Sequence, residues 1–180
     1  MHSTNEHTLR TTTALINSGE PASPVELLGD VDVIQEFIRE WTVTEVEPPT
    51  PADIRPLHVL RRRLRPVFIA PSTEQKLAIV NDLLAGAPIQ PRVVKHDDLG
   101  THIHYFPLQA SLSDHLTADC AMALAELLAE DDGDRLRVCQ ADDCARVFVD
   151  FSRNKSKLYC DSKRCGNRVN AASYRARLRT

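Results

Sequence analysis

Cys139-Gln140-Ala141-Asp142-Asp143-Cys144 and Cys160-Asp161-Ser162-Lys163-Arg164-Cys165 hold four of the five cysteines in this 180-residue chain. Each pair encloses four residues, and fifteen residues separate the pairs. Two close pairs joined by a short segment can meet as a four-thiolate tetrahedron, the donor set that suits zinc. Met1 to Gly19 lacks a basic stretch followed by an apolar one, so no secretory leader is visible and a reducing cytoplasm is expected. Under those conditions clustered cysteines favour metal over the alternatives, two disulfides or free thiols. One structural zinc ion is therefore expected on Cys139, Cys144, Cys160 and Cys165. Protein would fill all four positions, leaving none for substrate, which argues against a catalytic metal. The fifth thiol, Cys120, shares the apolar spacing of Leu116, Ala123, Leu124 and Leu127 and reads as an inert core residue.

Outward from the cysteines, Arg135 to Val138 predicts a strand leading into Cys139, and Gln140 to Asp143 a knuckle that returns Cys144. Val147-Phe148-Val149 predicts a second strand. Ser152 to Ser156 predicts a turn, with Leu158-Tyr159 as its return strand delivering Cys160. Ser162 can cap a closing helix from Lys163 to Arg179 that turns Val169, Ala172 and Ala176 toward the metal. Knuckle, hairpin and helix make a zinc-ribbon or treble-clef layout. So small a module buries too little to stand alone, and its folding should depend on metal.

Charge divides at the same place. Residues 135–180 hold 12 Lys+Arg and 4 Asp+Glu, a net +8, against −11 for the rest, although the whole chain carries only −3. A near-neutral total argues against nucleic acid, but the divided charge reverses that for the tail. Arg153, Lys155, Lys157, Lys163, Arg164, Arg175, Arg177 and Arg179 are candidates for phosphate, and Asn167, Asn170 and Arg177 for base edges in a major groove. Gly166-Asn167-Arg168 has a structural reading too: close backbone approach at Gly166 and an Arg168–Asp150 pair. The competing use of the basic face is docking on the chain's own acidic body. If body and DNA compete for it, deletion of residues 1–134 should strengthen non-specific DNA binding.

The body reads as mainly helical. Thr11 to Ile16 fits a strand or a helix, and Ser23-Pro24 predicts a helix start, with Asp30 or Asp32 as a restart. Ile34, Phe37, Ile38 and Trp41 share one helical face. Thr50-Pro51-Ala52-Asp53 opens a helix with the stripe Ile54, Leu57, Leu60, Leu64 and an exit bounded by Pro66 and Pro71. Ser72 to Gln75 is a capping box before the stripe Leu77, Val80, Leu83, Leu84, which ends at Gly86. Arg92–His96 and Thr101–Phe106 predict a hairpin across Asp97 to Gly100, and Ser113 caps a helix running to about Ala129. Asp131 to Asp134 reads as a linker. Arg61-Arg62-Arg63-Leu64-Arg65 reads as a solvated or ion-paired face, and His96, His102 and His104 as an exposed polar face rather than a metal or effector site. No phosphate loop, nucleophile triad or spaced acid–base pair is present, so an enzyme is not expected. No apolar run is long enough to span a membrane.

Cys160-x4-Cys165-Gly166-Asn167-Arg168 contains Cys-Gly-Asn-Arg and resembles the CGNR zinc finger of bacteria. The likeness covers Leu136 to Arg179, including Val147 to Asp150, Ser152 to Ser156 and Tyr174 to Arg177. In that family the finger follows an ABATE domain, and Leu15-Ile16-Asn17-Ser18 is the nearest counterpart of its early Phe-Val-Asn-Thr element. The resemblance implies an α+β chain: an ABATE-like regulatory body over 8–132 with a small β-hairpin, and a CGNR-type finger over 135–180. It also implies a stress-linked transcription regulator in the cytoplasm that binds DNA through the finger, Arg168 included, and senses an effector or forms a homodimer through the body. The rival is a zinc-stabilised protein-interaction or RNA-binding module without sequence-specific DNA binding.

Overall fold

The structure, a computed structural model, describes residues 3–95, 100–160 and 162–177, except the side chains of residues 3, 4, 162, 163, 172, 173 and 176. Helix α1 spans Ser3–Asn17 and settles the ambiguity at Thr11 to Ile16. Its β-branched residues disfavour a helix only weakly, because their hydroxyls return to the preceding turn. Thr11 donates to the His7 carbonyl, Thr12 to Thr8 and Thr13 to Arg10. The helix buries Leu9, Leu15 and Ile16, with Thr11 and Thr12 beside them.

No helix starts at Ser23-Pro24. The Ser23 hydroxyl donates to the Val25 carbonyl at 2.7 Å and closes a local turn instead. Helix α2, Val31–Glu40, begins at the alternative start, with Asp30 Oδ1 accepting from the Asp32 N–H at 2.8 Å. It buries Ile34, Phe37 and Ile38. Helix α3, Pro51–Ile69, opens on its capping box, where Asp53 Oδ2 accepts from the Thr50 N–H at 2.8 Å. Pro66 does not end it. Pro56 and Pro66 both stand on its exposed side, and Val67 and Phe68, buried beyond the second proline, hold the last turn to the core. Helix α4, Thr73–Ala85, is capped by Ser72 but buries Lys76 with Val80 and Leu83, leaving Leu77 exposed. Helix α5, Leu112–Ala129, is capped by Ser111, two residues before the expected Ser113.

Strands β1, Arg92–Lys95, and β2, Thr101–His104, pair antiparallel with Val94 opposite His102. His96 and the expected turn at 97–99 lie outside the described residues. Helices α1, α3, α4 and α5 pack on one another around a single core, with α2 against α3. No helix of the described residues is long and apolar enough to cross a membrane.

Beyond α5 the chain does not leave this core. Gly133–Arg135 is a short 3-10 turn, followed by β3, Leu136–Val138, and β4, Val147–Val149, paired antiparallel. Leu136, Val147 and Val149 are buried in the same cluster as the helices. The Asp131 to Asp134 segment is consequently a packed corner, not a free linker: the Lys76 ammonium donates to the buried Gly133 carbonyl at 2.6 Å. Leu158-Tyr159 forms no strand, since β3 pairs one edge of β4 and Asn17 takes the Val147 N–H and carbonyl on the other; the Leu158 carbonyl accepts instead from the Gln140 N–H in the knuckle at 3.0 Å. One irregular turn, Ser162–Gly166, then enters helix α6, Asn167–Arg177, short of the expected start at Lys163.

The arginine cluster of α3 is ion-paired in part. Arg61, buried, forks onto Glu26 and donates to Ser18 Oγ, and Gly19 lies so close that any Cβ there would collide with its guanidinium. Arg63 pairs with Asp82, while Arg65 reaches across to the Ala145 carbonyl beside Cys144 at 2.6 Å.

Candidate metal centre and nucleic-acid interface

Cys139 directly follows β3, and its N–H donates to the Arg146 carbonyl at 2.9 Å. The Cys144 N–H donates to Ala141 at 2.9 Å and closes the knuckle. Cys160 arrives from the irregular return segment, and Cys165 lies in the turn before α6. The sulfurs of Cys144 and Cys160 are 3.7 Å apart, those of Cys160 and Cys165 3.8 Å, and all four lie within 4.8 Å of one another. Sulfurs about 2.3 Å from one zinc stand about 3.8 Å apart in a tetrahedron, so the donor set fits one zinc ion. Burial, then the neighbouring sulfurs, raise the Cys160 thiol. At Cys139 burial acts in the same direction but is outweighed by backbone N–H bonds that hold the thiol low. Four thiols packed so closely cannot all ionise without a cation between them, and zinc supplies it.

Ala141, Tyr159 and Val169 pack around the sulfurs. A Cβ on Gly166 would stand 3.4 Å from the Tyr159 ring, so the close approach there is to that ring. Arg168 does not pair with Asp150. It donates to Asp143 in the knuckle at 2.5 Å and toward Cys165 Sγ at 3.7 Å, tying the first cysteine pair to the helix that follows the second. Asp150 is fully buried and already satisfied by the Ser152 hydroxyl and N–H and by the Lys157 N–H. Burial alone would raise its pKa, yet these bonds keep its carboxyl below the usual range.

The basic candidates separate by surroundings. Lys155 is ion-paired to Asp132 at 2.7 Å and Asp134 at 2.9 Å, so one basic residue does dock on acids of the packed corner. Lys157 is exposed, with its ammonium 5.7 Å from the Phe148 ring. Arg153, Arg164, Asn167, Asn170, Arg175 and Arg177 are exposed. The Lys163 side chain and Arg179 lie outside the described residues.

The body holds a second feature. A cavity of about 610 Å³ opens between α1, the turn after α2, β2 and α5, with Thr8, Trp41, His104, Tyr105 and Asp119 among its walls. His102 and His104 line it and are buried, which corrects the expected exposed face. Ile103 is the residue that faces out, 44 % exposed. The signal was Phe106: counting back by twos from that large apolar residue, 1 % exposed, puts His104 and His102 on the inner face. Cys120, also in the wall, is fully buried and its thiol is pushed up to about 12 by burial, in keeping with an inert core residue.

Residues 9–131 match the family model for ABATE, described as "Putative stress-induced transcription regulator". Residues 135–178 match the model for the CGNR zinc finger. No curated protein matches the chain.

Proposed function

The chain belongs to the ABATE family and carries a CGNR zinc finger, and on that premise we propose that it is a transcription regulator whose finger binds DNA and whose body senses a ligand. The observation that carries the reading is the surface of the finger. Arg153, Arg164, Asn167, Asn170 and Arg175 are exposed on a scaffold fixed by the four cysteines, while Lys155 and Arg168 are engaged within the protein. Exposed arginines and lysines supply phosphate contacts, and the two asparagines can present amides to base edges. The cavity is the place for an effector: its size suits a small molecule, and its walls mix aromatic and hydrogen-bonding groups. Helix α1 connects the two, because Asn5, His7, Thr8 and Thr11 line the cavity and Asn17, at its other end, holds β4.

The test is DNA binding by the zinc-loaded full chain over a range of salt. The logarithm of affinity should fall linearly with log salt, with a slope of about −0.9 for each phosphate neutralised. Absence of DNA affinity at low salt sinks the proposal and leaves a protein-interaction finger as the reading.

A further inference from the structure

The imidazoles of His102 and His104 stand side by side on the inner face of β2 with their Nε2 atoms 3.0 Å apart. The other nitrogen of each ring is already engaged. His102 Nδ1 lies 2.9 Å from the Gly100 carbonyl. A carbonyl can only accept, so that nitrogen carries the hydrogen. His104 Nδ1 lies 3.1 Å from Glu45 Oε2, the oxygen to which Arg92 donates at 2.7 Å. Ion-paired with Arg92, Glu45 accepts as a carboxylate, so His104 Nδ1 carries its hydrogen too. In the neutral rings both Nε2 atoms are then lone pairs facing each other at hydrogen-bond distance. Two lone pairs so placed can converge on one cation.

We propose that His102 and His104 bind a divalent transition-metal ion through their Nε2 atoms, with Glu45 and the Gly100 carbonyl as the groups that orient them. Nitrogens 2.0–2.1 Å from one ion stand about 2.9 to 3.4 Å apart for bond angles between square and tetrahedral. The observed separation falls in that interval. A carboxylate or backbone carbonyl behind each ligating imidazole is the usual support of a histidine metal site. The surroundings agree in charge: Asp119, Glu126 and Glu130 line the cavity, and its described lining residues include neither lysine nor arginine. Among the described residues no third protein ligand completes a cluster with the pair. Imidazole nitrogen suits nickel, copper and zinc, whereas the finger offers only thiolates, so the two centres differ in chemistry.

The inference does not depend on DNA binding, and its experiment uses the zinc-loaded full chain with nickel(II) as probe. Equilibrium dialysis with elemental analysis should find one nickel per chain beyond the zinc. His102→Gln and His104→Gln should each weaken nickel binding at least tenfold, Glu45→Gln roughly tenfold. His58→Gln should leave it unchanged, because that ring is outside the cavity lining and bonds the Leu28 carbonyl. In the unsubstituted protein, paramagnetic broadening should centre on β2 and Glu45, a readout that requires no variant to fold. Absence of a second ion, nickel binding indifferent to both histidine substitutions, or broadening centred elsewhere overturns the proposal.

Discussion

The side-chain amide of Asn17 and the backbone of Val147 bond to each other twice. Nδ2 donates to the Val147 carbonyl at 2.8 Å, and Oδ1 accepts the Val147 N–H at 2.9 Å, both in the buried interior. A strand edge normally needs a neighbouring strand for that pair of groups; here the last residue of α1 substitutes for one. Asn17→Ala leaves two buried backbone groups without partners and should lower stability by about 2–4 kcal/mol, read by urea unfolding at pH 7. Asn17→Asp should also destabilise, because a carboxylate cannot donate to the carbonyl. A loss below about 0.5 kcal/mol for Asn17→Ala would show that the junction draws its stability elsewhere.

Removing zinc should act locally. Metal contributes on the order of 10–16 kcal/mol to small zinc-finger peptides. In this protein β3 and β4 also rest on the helical core, so chelation should release the knuckle and α6 while the body keeps its fold. Elemental analysis should give one zinc per chain before any nickel is added. Hydrogen exchange should speed up at Cys144 and in α6 after chelation or in Cys160→Ala, and remain slow in α5. Global unfolding on chelation contradicts this division.

The Glu26–Arg61 pair gives the body a pH dependence of defined sign. The Arg61 bond, acting against burial, holds the Glu26 carboxyl below its ordinary range. A carboxyl depressed by folding stabilises above its unfolded pKa, about 4.3, and that stabilisation disappears as pH falls through the folded value. Glu26→Gln should therefore cost about 1–2 kcal/mol near neutrality, moderated by the exposure of Glu26. The gap to the unsubstituted protein should narrow below about pH 4. Zinc loss in acid affects both proteins alike, so the difference isolates this pair. A gap that stays constant down to pH 3 refutes the assignment.

Two basic residues of similar sequence appeal should behave in opposite ways. Lys155→Ala removes a partner of Asp132 and Asp134 and should lower stability slightly while leaving the DNA salt slope alone. Arg175→Ala removes an exposed charge and should leave stability alone while lowering the slope by about 0.9. Reversed behaviour would mean that the finger presents a different face to nucleic acid.

Much of this fold is legible because its signals are local. The capping box at Thr50, the cap at Ser72, the stripe Ile34, Phe37, Ile38 and the spacing of the cysteines depend on residues within one or two turns of each other. What escapes depends on distant partners. Lys76 displaces Leu77 from the buried face of α4 because a carbonyl 57 residues away accepts its ammonium. Ser111 outcompetes Ser113 as a cap only through the geometry by which the chain enters α5. Arg168 has two acids within reach in the sequence, and Asp150 is lost to it because Ser152 and Lys157 already surround that carboxylate. His102 and His104 look like a polar edge until Phe106 fixes which side of β2 is inside.

Leu136, Val147 and Val149 of the finger complete the core of the body, and this sets limits on protein engineering. A cut before residue 135 strips the hairpin of its support, so a truncated finger would expose an apolar face and could adhere to nucleic acid or to itself for reasons unrelated to charge. Removal of residues 1–134 is thus a poor assay for release of the basic surface from the acidic one. A chimera that grafts this finger onto another sensor should carry α1 and α3 with it, or replace those three side chains with polar ones. The transplantable unit is larger than the segment that binds the metal.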